Sequence, residues 1–236
     1  QQHTGEYLAA RELIDQALVL ERDFGLPVIL WLHLVSANNN MHLGRYAEAK
    51  ANASYFLDIA RQRGLSEETG AGLDVLGGIA IAQGDLEQAR SYLRESIAVY
   101  REALDVREFS PQAGLGYIAR VEGDDSLARK CLSDNLCATK DYDHAELAVD
   151  WLPLAALLAA DDGRPERAIE LYSLARHIGF IKNSRYWEEI ACRELDAVRD
   201  SLPPEVALAA EARGQELDLQ ESIEELLVWL SRSPDA

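Results

Sequence analysis

The chain of 236 residues carries 23 Lys and Arg against 41 Asp and Glu, a formal net charge of −18. An acidic excess of this size repels phosphate backbones, so we expect no direct binding of nucleic acid. The sequence also has no uninterrupted apolar run long enough to cross a membrane, and Gln1 to Gly5 lack the pattern of a signal peptide. Because no initiator Met is present, we expect these residues to come from a longer polypeptide.

The first recurring feature along the chain is a glycine followed five residues later by an alanine, at the start of a helical apolar pattern. Successive glycines lie 39, 40, 39 and 40 residues apart. Such regular spacing predicts one structural unit repeated along the chain. The pairs are Gly5 with Ala10, Gly44 with Ala49, Gly84 with Ala89, Gly123 with Ala128, and Gly163 with Ala168.

The third copy shows what the unit predicts. Gly84 follows a helical pattern, and its missing side chain permits the left-handed conformation that ends helices. Asp85 is then placed to cap a second helix. The small Ala89 lets that helix cross the first one closely, and Leu93 continues the same face. The unit is therefore predicted to be a pair of antiparallel helices.

A second small residue precedes each turn glycine of repeats two to five by seven positions. These residues are Ala37, Gly77, Gly116 and Ala156. A larger side chain at this position would push the two helices of a pair apart. The small residues therefore predict the same close helix packing in each repeat.

The first copy contains only a second helix, because four residues precede Gly5. Its apolar face comprises Tyr7, Ala10, Ile14 and Ala17. We expect this face to be partly uncovered, since in a repeat array it packs on the preceding unit. Whether the chain self-associates through it is left open by the sequence.

Beyond residue 180 the repeat stops, but helical patterns continue over 186–198, 205–213 and 219–230. Leu202, Pro203 and Pro204 separate the first of these from the second. Asp218 and Glu221 predict a capping box for the last one. We therefore predict a repeat array over 1–180 and a helical capping segment over 181–236, with Trp187 and Trp229 packed in the core or the cap.

The repeated features resemble the tetratricopeptide repeat. They comprise a small residue on the first helix, a turn glycine, an aromatic residue two positions later (Tyr7 and Tyr46), and an alanine on the second helix. The usual repeat has about 34 residues, and we expect the excess here in longer second helices and linkers. The resemblance implies an all-α, right-handed superhelical solenoid of antiparallel helix pairs with a C-terminal helical cap.

Four stretches carry a second resemblance: 91–102, 163–168, 203–205 and 214–223. They resemble the carboxyl-terminal region of bacterial signal-transduction ATPases with numerous domains, a group that includes large regulators of the LuxR and AfsR types. This resemblance implies that an effector and a nucleotide-binding switch precede a repeat-built sensor, which holds the switch closed until an inducer arrives.

The sequence contains no constellation that predicts catalysis, a cofactor or a metal site. No phosphate-binding loop, zinc-protease motif or nucleophile elbow occurs, and the glycines at 70, 72, 77 and 78 are interpreted as packing or helix-start residues. The pairs Asp124-Asp125 and Asp161-Asp162 are interpreted as helix caps. Three cysteines without C-x-x-C spacing are interpreted as small core residues in a reducing, cytoplasmic setting.

In a superhelical array the first helices line the concave side, so their outward positions are the expected binding groove. Counting back from each turn glycine, by analogy with the repeat family, identifies these positions. The Asn38-Asn39-Asn40 run adds a weak indication of polar binding, whereas Trp31 and Met41 have the alternative of filling contacts between repeats. The predicted groove residues are Trp31, Asn38, Met41, His42, Asp74, Tyr117, Arg120 and Asp150.

The leading hypothesis is a sensor that binds a peptide, a protein or a small-molecule inducer in this groove and signals to other domains of its parent protein. A change of superhelical curvature would transmit the signal, with Gly64, Gly70 and Gly72, between repeats two and three, as points of flexure. The alternative is a passive scaffold that holds proteins together.

Overall fold

A computed structural model describes residues 7–24, 29–103, 107, 110–141, 145–178 and 181–232. All regular secondary structure in these ranges is helical, which confirms the all-α class. The segment Ala145–Trp151 is a 3-10 helix, and Glu188–Cys192 is a π-helical turn. The α-helices are α1 (Tyr7–Asp23), α2 (Leu30–His42), α3 (Tyr46–Arg63), α4 (Ser66–Ala82), α5 (Leu86–Glu102), α6 (Ser110–Val121), α7 (Asp125–Asp141), α8 (Leu152–Asp161), α9 (Pro165–Ile178), α10 (Arg185–Trp187), α11 (Arg193–Ser201), α12 (Pro204–Glu216) and α13 (Leu219–Leu230).

The chain divides into two compact units. The amino-terminal unit comprises Gln1–Gly114 with Asn183–Glu188, and the carboxyl-terminal unit comprises Leu115–Lys182 with Glu189–Ala236. The change from one unit to the other after Gly114 falls inside the repeat array predicted over 1–180. The domain boundary predicted after residue 180 stays a prediction.

Helices pack in consecutive pairs within each unit. In the amino-terminal unit α2 packs on α3 and α4 on α5, while α3 and α2 also contact α4. In the carboxyl-terminal unit α8 packs on α9. The second helices α3, α5 and α7 run over 18, 17 and 17 residues. The predicted helix pair is therefore the local building block of the fold.

The turn glycines adopt the left-handed conformation that the repeat predicts. Their φ angles are 72° at Gly44, 76° at Gly84, 79° at Gly123 and 69° at Gly163. After each turn the backbone N–H of the next residue bonds back into the helix, as from Asp85 to the carbonyl of Ala80 at 2.9 Å. A side chain at these φ values is strained, so glycine ends the helix at low cost. Gly5 lies outside the described residues.

The predicted small residues lie where paired helices cross. A Cβ built on Gly77 of α4 would meet Leu93 Cδ2 of α5 at 2.5 Å, and one on Gly116 of α6 would meet Cys131 Cβ of α7 at 3.2 Å. The close packing inferred from the sequence is thus confirmed. The alanines at the predicted crossing positions are fully buried, each with 0% of its surface exposed: Ala37, Ala49, Ala89, Ala128, Ala156 and Ala168.

Two of the predicted carboxylate caps are confirmed and one pair is not. Asp85 accepts the backbone N–H of Gln88 at 3.2 Å, and Asp124 accepts that of Leu127 at 3.0 Å. Asp161 and Asp162 were interpreted as caps, but they lie at the end of α8, before the turn. Their carboxylates instead bind arginine side chains, because the neighbouring helices bring guanidinium groups to that end of α8.

The predicted points of flexure at Gly70 and Gly72 are wrong, because both lie inside α4 and are buried. A Cβ on Gly70 would meet the Tyr100 ring at 2.7 Å, and one on Gly72 would meet Phe56 Cδ1 at 3.0 Å. These glycines permit close packing of α4, in agreement with their other interpretation. Gly64, with φ of 66°, forms the C-cap of α3.

The apolar face predicted on α1 is partly uncovered, because Ile14 is buried whereas Ala10 and Ala17 are half-buried. Helix α2 packs against α1, and Tyr7 stacks on His42 of α2, with ring centroids 4.7 Å apart. The more exposed apolar side chains include Leu13 at 68% and Leu20 at 50% on α1, and Phe24 at 74% directly after it.

Helix α8 is apolar on all sides and forms the centre of the carboxyl-terminal unit. Residues Leu152 to Ala159 are all buried, because α7, α9, α11 and the 3-10 segment contact this helix. A helix that is hydrophobic all round is normally a core helix.

The helices beyond residue 180 follow the predicted order. Leu202 is extended, Pro203 is the N-cap of α12, and Pro204 opens that helix. Asp218 caps α13 by accepting the N–H of Glu221 at 2.9 Å. Helix α12 packs on α9, so it covers a surface of the last repeat.

Candidate functional site

The most exposed of the predicted groove residues in the amino-terminal unit is Trp31, on the first helix of repeat two. Trp31 is 41% exposed, while its ring edge contacts the buried Phe56 at a centroid distance of 5.7 Å. One turn along α2, Val35 is 49% exposed, and Asn38 one turn further is half-buried. Trp31, Val35 and Asn38 lie on one stripe of the helix because they are four and three residues apart. We call these three residues the α2 face.

The α2 face combines an anchored aromatic ring, an aliphatic side chain and an amide. Contact with Phe56 limits the mobility of Trp31, so little side-chain entropy is lost if a partner covers its exposed surface. Sequence reasoning missed Val35, although its position four residues after Trp31 indicates the same stripe.

Asp74 on α4 is half-buried and accepts a hydrogen bond from the Ser110 hydroxyl at 2.7 Å. Helix α4 packs on α2 within the amino-terminal unit. Asp74 therefore offers a carboxylate on the first helix of the next repeat, and Ser110 fixes its orientation.

Met41 and Tyr117 are buried, at 8% and 4% exposure. Met41 fills a contact between repeats, since its Sδ would lie 3.3 Å from a Cβ on Gly78 of α4. This is the alternative role that the sequence left open for it. Tyr117 lies in the core of the carboxyl-terminal unit.

Arg120 is engaged in an ion cluster. Its Nε and Nη2 lie 2.6 and 2.9 Å from the Asp161 carboxylate, and its Nη1 lies 3.0 Å from Glu194 Oε2. Its side chain is 11% exposed. The guanidinium thus ties α6 to α8 and α11, and a ligand could recruit it only by competing with two carboxylates.

Asp150 was predicted on the first helix of repeat five, but it lies in the 3-10 segment Ala145–Trp151 that precedes α8. Pro153 lies within the first turn of α8 and shapes its start. Asp150 is exposed.

The asparagine run packs inward. Asn39 and Asn40 are each 6% exposed, and Ser36 accepts hydrogen bonds from Asn40 at 3.4 Å and Asn52 at 3.1 Å. The bond from Asn52 joins α3 to α2, whereas the bond from Asn40 lies within α2. Asn38 is the member of the run that is more open to solvent.

His42 lies in an aromatic and hydroxyl cluster. Its ring stacks on Tyr7 and meets Tyr186 edge-on at 5.8 Å, and its Nδ1 lies 2.8 Å from Ser184 Oγ. Ser184 Oγ also accepts the backbone N–H of Trp187. Burial without a neighbouring carboxylate lowers the pKa of His42 to about 4. His42 therefore links α10 to α2 as a neutral imidazole.

This cluster predicts a loss of stability on acidification. An unfolded His42 binds a proton below its ordinary pKa of 6.5, whereas the folded one resists protonation down to about pH 4. The unfolded state therefore binds more protons as the pH falls through this window, and stability decreases. Between pH 7 and pH 5 we expect a loss of about 2 kcal/mol from this residue.

Urea unfolding of the wild type and of His42→Phe at both pH values measures this contribution. The variant should lose about 2 kcal/mol less than the wild type between pH 7 and pH 5. Equal losses in the two proteins would show that His42 is not held neutral.

Within the described ranges, no group of three or more His, Cys, Asp and Glu is arranged to hold a metal ion. Cys131 and Cys192 are buried core residues as predicted, and burial raises the pKa of Cys131 to about 11. Cys137 is exposed, so its interpretation as a core residue is wrong.

None of the helices described here has both the length and the apolar character that a membrane span requires. Comparison with family models, with curated protein sequences and with solved structures gives no match to the chain. The functional assignment therefore depends on the residues and their arrangement.

Proposed function

We propose that the chain is a partner-binding module built of tetratricopeptide-like helix pairs. We further propose that these pairs stack into a right-handed superhelical solenoid. The observation that carries this proposal is the α2 face, where Trp31 and Val35 are exposed beside Asn38 on a first helix. Aromatic side chains with a buried anchor and an exposed ring supply much of the binding energy at protein interfaces.

The partner is an extended peptide segment of a protein, or an inducer of similar chemistry. Trp31 and Val35 would contact its apolar groups, and the Asn38 amide would bind its backbone. Asp74, half-buried on the neighbouring first helix, would favour a positively charged group. Binding would signal to other domains of a multidomain regulatory ATPase in the cytoplasm, the role that the sequence resemblance implies.

Selection from a random phage-displayed peptide library tests the site. We expect enriched peptides whose affinity falls about tenfold or more in Trp31→Ala and in Asn38→Ala. The matched control is Leu208→Ala on α12, which removes an apolar side chain that is 66% exposed in the other unit. Peptides that bind Trp31→Ala as tightly as the wild type would contradict the assignment of the site.

Small-angle scattering with a selected peptide separates the sensor from the scaffold. A sensor changes its scattering curve on saturation, because a small twist in each repeat accumulates along the array. An unchanged curve at saturation would contradict the sensor and favour the passive scaffold.

A further inference from the structure

A cleft with an excess of arginine lies in the carboxyl-terminal unit, whereas the α2 face belongs to the amino-terminal unit. It has a volume of about 420 Å³, within the range of pockets that bind small organic molecules. Its apolar residues include Leu171 and Leu226, at 0% and 2% exposure, and the more exposed Val228. Around them stand three arginines, two glutamates and a tryptophan: Arg164, Arg167, Arg232, Glu224, Glu225 and Trp229.

Trp229 is held in place on one side of this cleft. Its indole Nε1 donates a hydrogen bond to Asp162 Oδ2 at 3.1 Å. Asp162 in turn binds Arg129, whose guanidinium lies 5.1 Å from the centroid of the Trp229 ring. The ring is therefore a preorganised wall, fixed by groups from α7, α8 and α13.

The carboxylates at the cleft already have cationic partners. Glu224 Oε1 lies 3.1 Å from Lys140 Nζ, and Glu225 Oε2 lies 2.6 Å from Arg167 Nη2. Arg167 also pairs with Glu170, whose Oε2 lies 3.0 Å from Arg167 Nη1. These pairs leave the two glutamates little capacity to neutralise the other arginines.

Arg164 and Arg232 are the cations not used in these pairs. Neither guanidinium lies within 4.0 Å of a carboxylate in the part of the chain that the structure describes. Both line the cleft, and Arg164 lies 5.7 Å from the Trp229 centroid. In a chain of net charge −18, two such arginines at one cleft form a local positive site.

We propose that this cleft binds a carboxylate with an apolar body. Arg164 and Arg232 would bind the carboxylate, since guanidinium groups donate paired hydrogen bonds to its two oxygens. Trp229 and Val228, whose side chain is 53% exposed, would contact the apolar body. The carboxylate comes either from a small organic acid or from the carboxyl terminus of a peptide, and both present the same chemistry.

The test follows the indole N–H resonance of Trp229 in the full chain, assigned by its loss in Trp229→Phe. The small-molecule probe is phenylbutyrate, compared with the neutral phenylbutyramide. The peptide probe is acetylated leucyl-phenylalanine with a free carboxyl terminus, compared with its amide. We expect a saturable shift of the resonance, at about 1–10 mM, with at least one carboxylate and not with its amide.

The variant Arg164→Gln/Arg232→Gln should weaken that binding about tenfold or more, while keeping the dispersed indole resonances of the folded protein. Arg94→Gln, an exposed arginine on α5 of the other unit, should leave it unchanged. A response to phenylbutyrate alone assigns a small organic acid, and a response to the dipeptide alone assigns a peptide terminus. Equal shifts with carboxylates and amides, no shift with either carboxylate, or unchanged binding in the double variant would overturn the proposal.

Discussion

Replacing Gly77 by alanine is expected to destabilise the amino-terminal unit by about 1–2 kcal/mol, although alanine is the better helix former. The substitution gains about 1 kcal/mol of helix propensity. Its Cβ, however, would lie 2.5 Å from Cδ2 and 2.7 Å from Cγ of Leu93, which is 1% exposed and has no space to move. Overpacking of this kind costs about 1–3 kcal/mol or more.

The adjacent Gly78 provides a matched control on the same helix. A Cβ there would lie 3.3 Å from Met41 Sδ, a flexible side chain that can shift by a few tenths of an ångström. Gly78→Ala should therefore be neutral or stabilise the protein by up to about 1 kcal/mol. Urea unfolding followed by circular dichroism gives both values, and equal effects at the two positions would contradict the close helix crossing at Gly77.

A larger loss, of about 3 kcal/mol or more, is expected from Gly214→Ala on α12. A Cβ at this position would overlap the backbone carbonyl of Glu170 and lie 2.9 Å from its Cα and 2.7 Å from Ser173 Cβ. Backbone atoms of α9 cannot rotate away as a side chain can, so the two helices must separate. The same substitution at the exposed neighbour, Gln215→Ala, should change stability by less than about 0.5 kcal/mol.

Thermal and urea unfolding of both α12 variants measure this difference. If Gly214→Ala is as stable as Gln215→Ala, the contact of α12 with α9 is not as close as described. A loss confined to Gly214→Ala supports the role of α12 as the cover of the last repeat.

The features that sequence reasoning predicted best are those set by local chemistry. A left-handed turn requires glycine at Gly84 and its equivalents, and a cap requires a side chain such as that of Asp85. A small residue such as Ala89 is needed wherever two helices cross closely. The turn glycine and the small residue recur in repeats two to five, so the spacing alone indicates them. The carboxylate cap is local to Asp85 and Asp124, since the N-cap of α3 is Arg45, without a side-chain cap.

The features that the sequence did not reveal depend on which surface meets which neighbour. Nothing in the pattern of α1 indicates that α2 covers Ile14 and leaves Phe24 exposed. Likewise, the sequence shows that Arg120 is a cation but not that Asp161 and Glu194 are its partners. Counting from the turn glycine by analogy assumes regular first helices, and the 3-10 segment before α8 breaks this assumption at Asp150.

The candidate site was therefore predicted in part. Trp31 is exposed and Asn38 and Asp74 are half-buried, so their side chains are accessible to the proposed partner, whereas Met41 and Tyr117 are buried. The arginine cleft escaped prediction because Arg164 is distant in sequence from Trp229 and Arg232, and the three residues share no motif. Clusters built by the packing of separate helices emerge only in three dimensions.

We infer that a single helix-pair unit is repeated along the chain with the same packing. The most direct test substitutes leucine for the buried alanine that follows each turn glycine by five residues, and measures stability by urea unfolding of Ala49→Leu, Ala89→Leu, Ala128→Leu and Ala168→Leu. We predict that each loses about 2–3 kcal/mol, while Ala51→Leu and Ala98→Leu, at exposed positions of α3 and α5, lose less than about 0.5 kcal/mol. Losses at one or two of the four alanines only, or losses no larger than those of the exposed controls, would contradict the repeat.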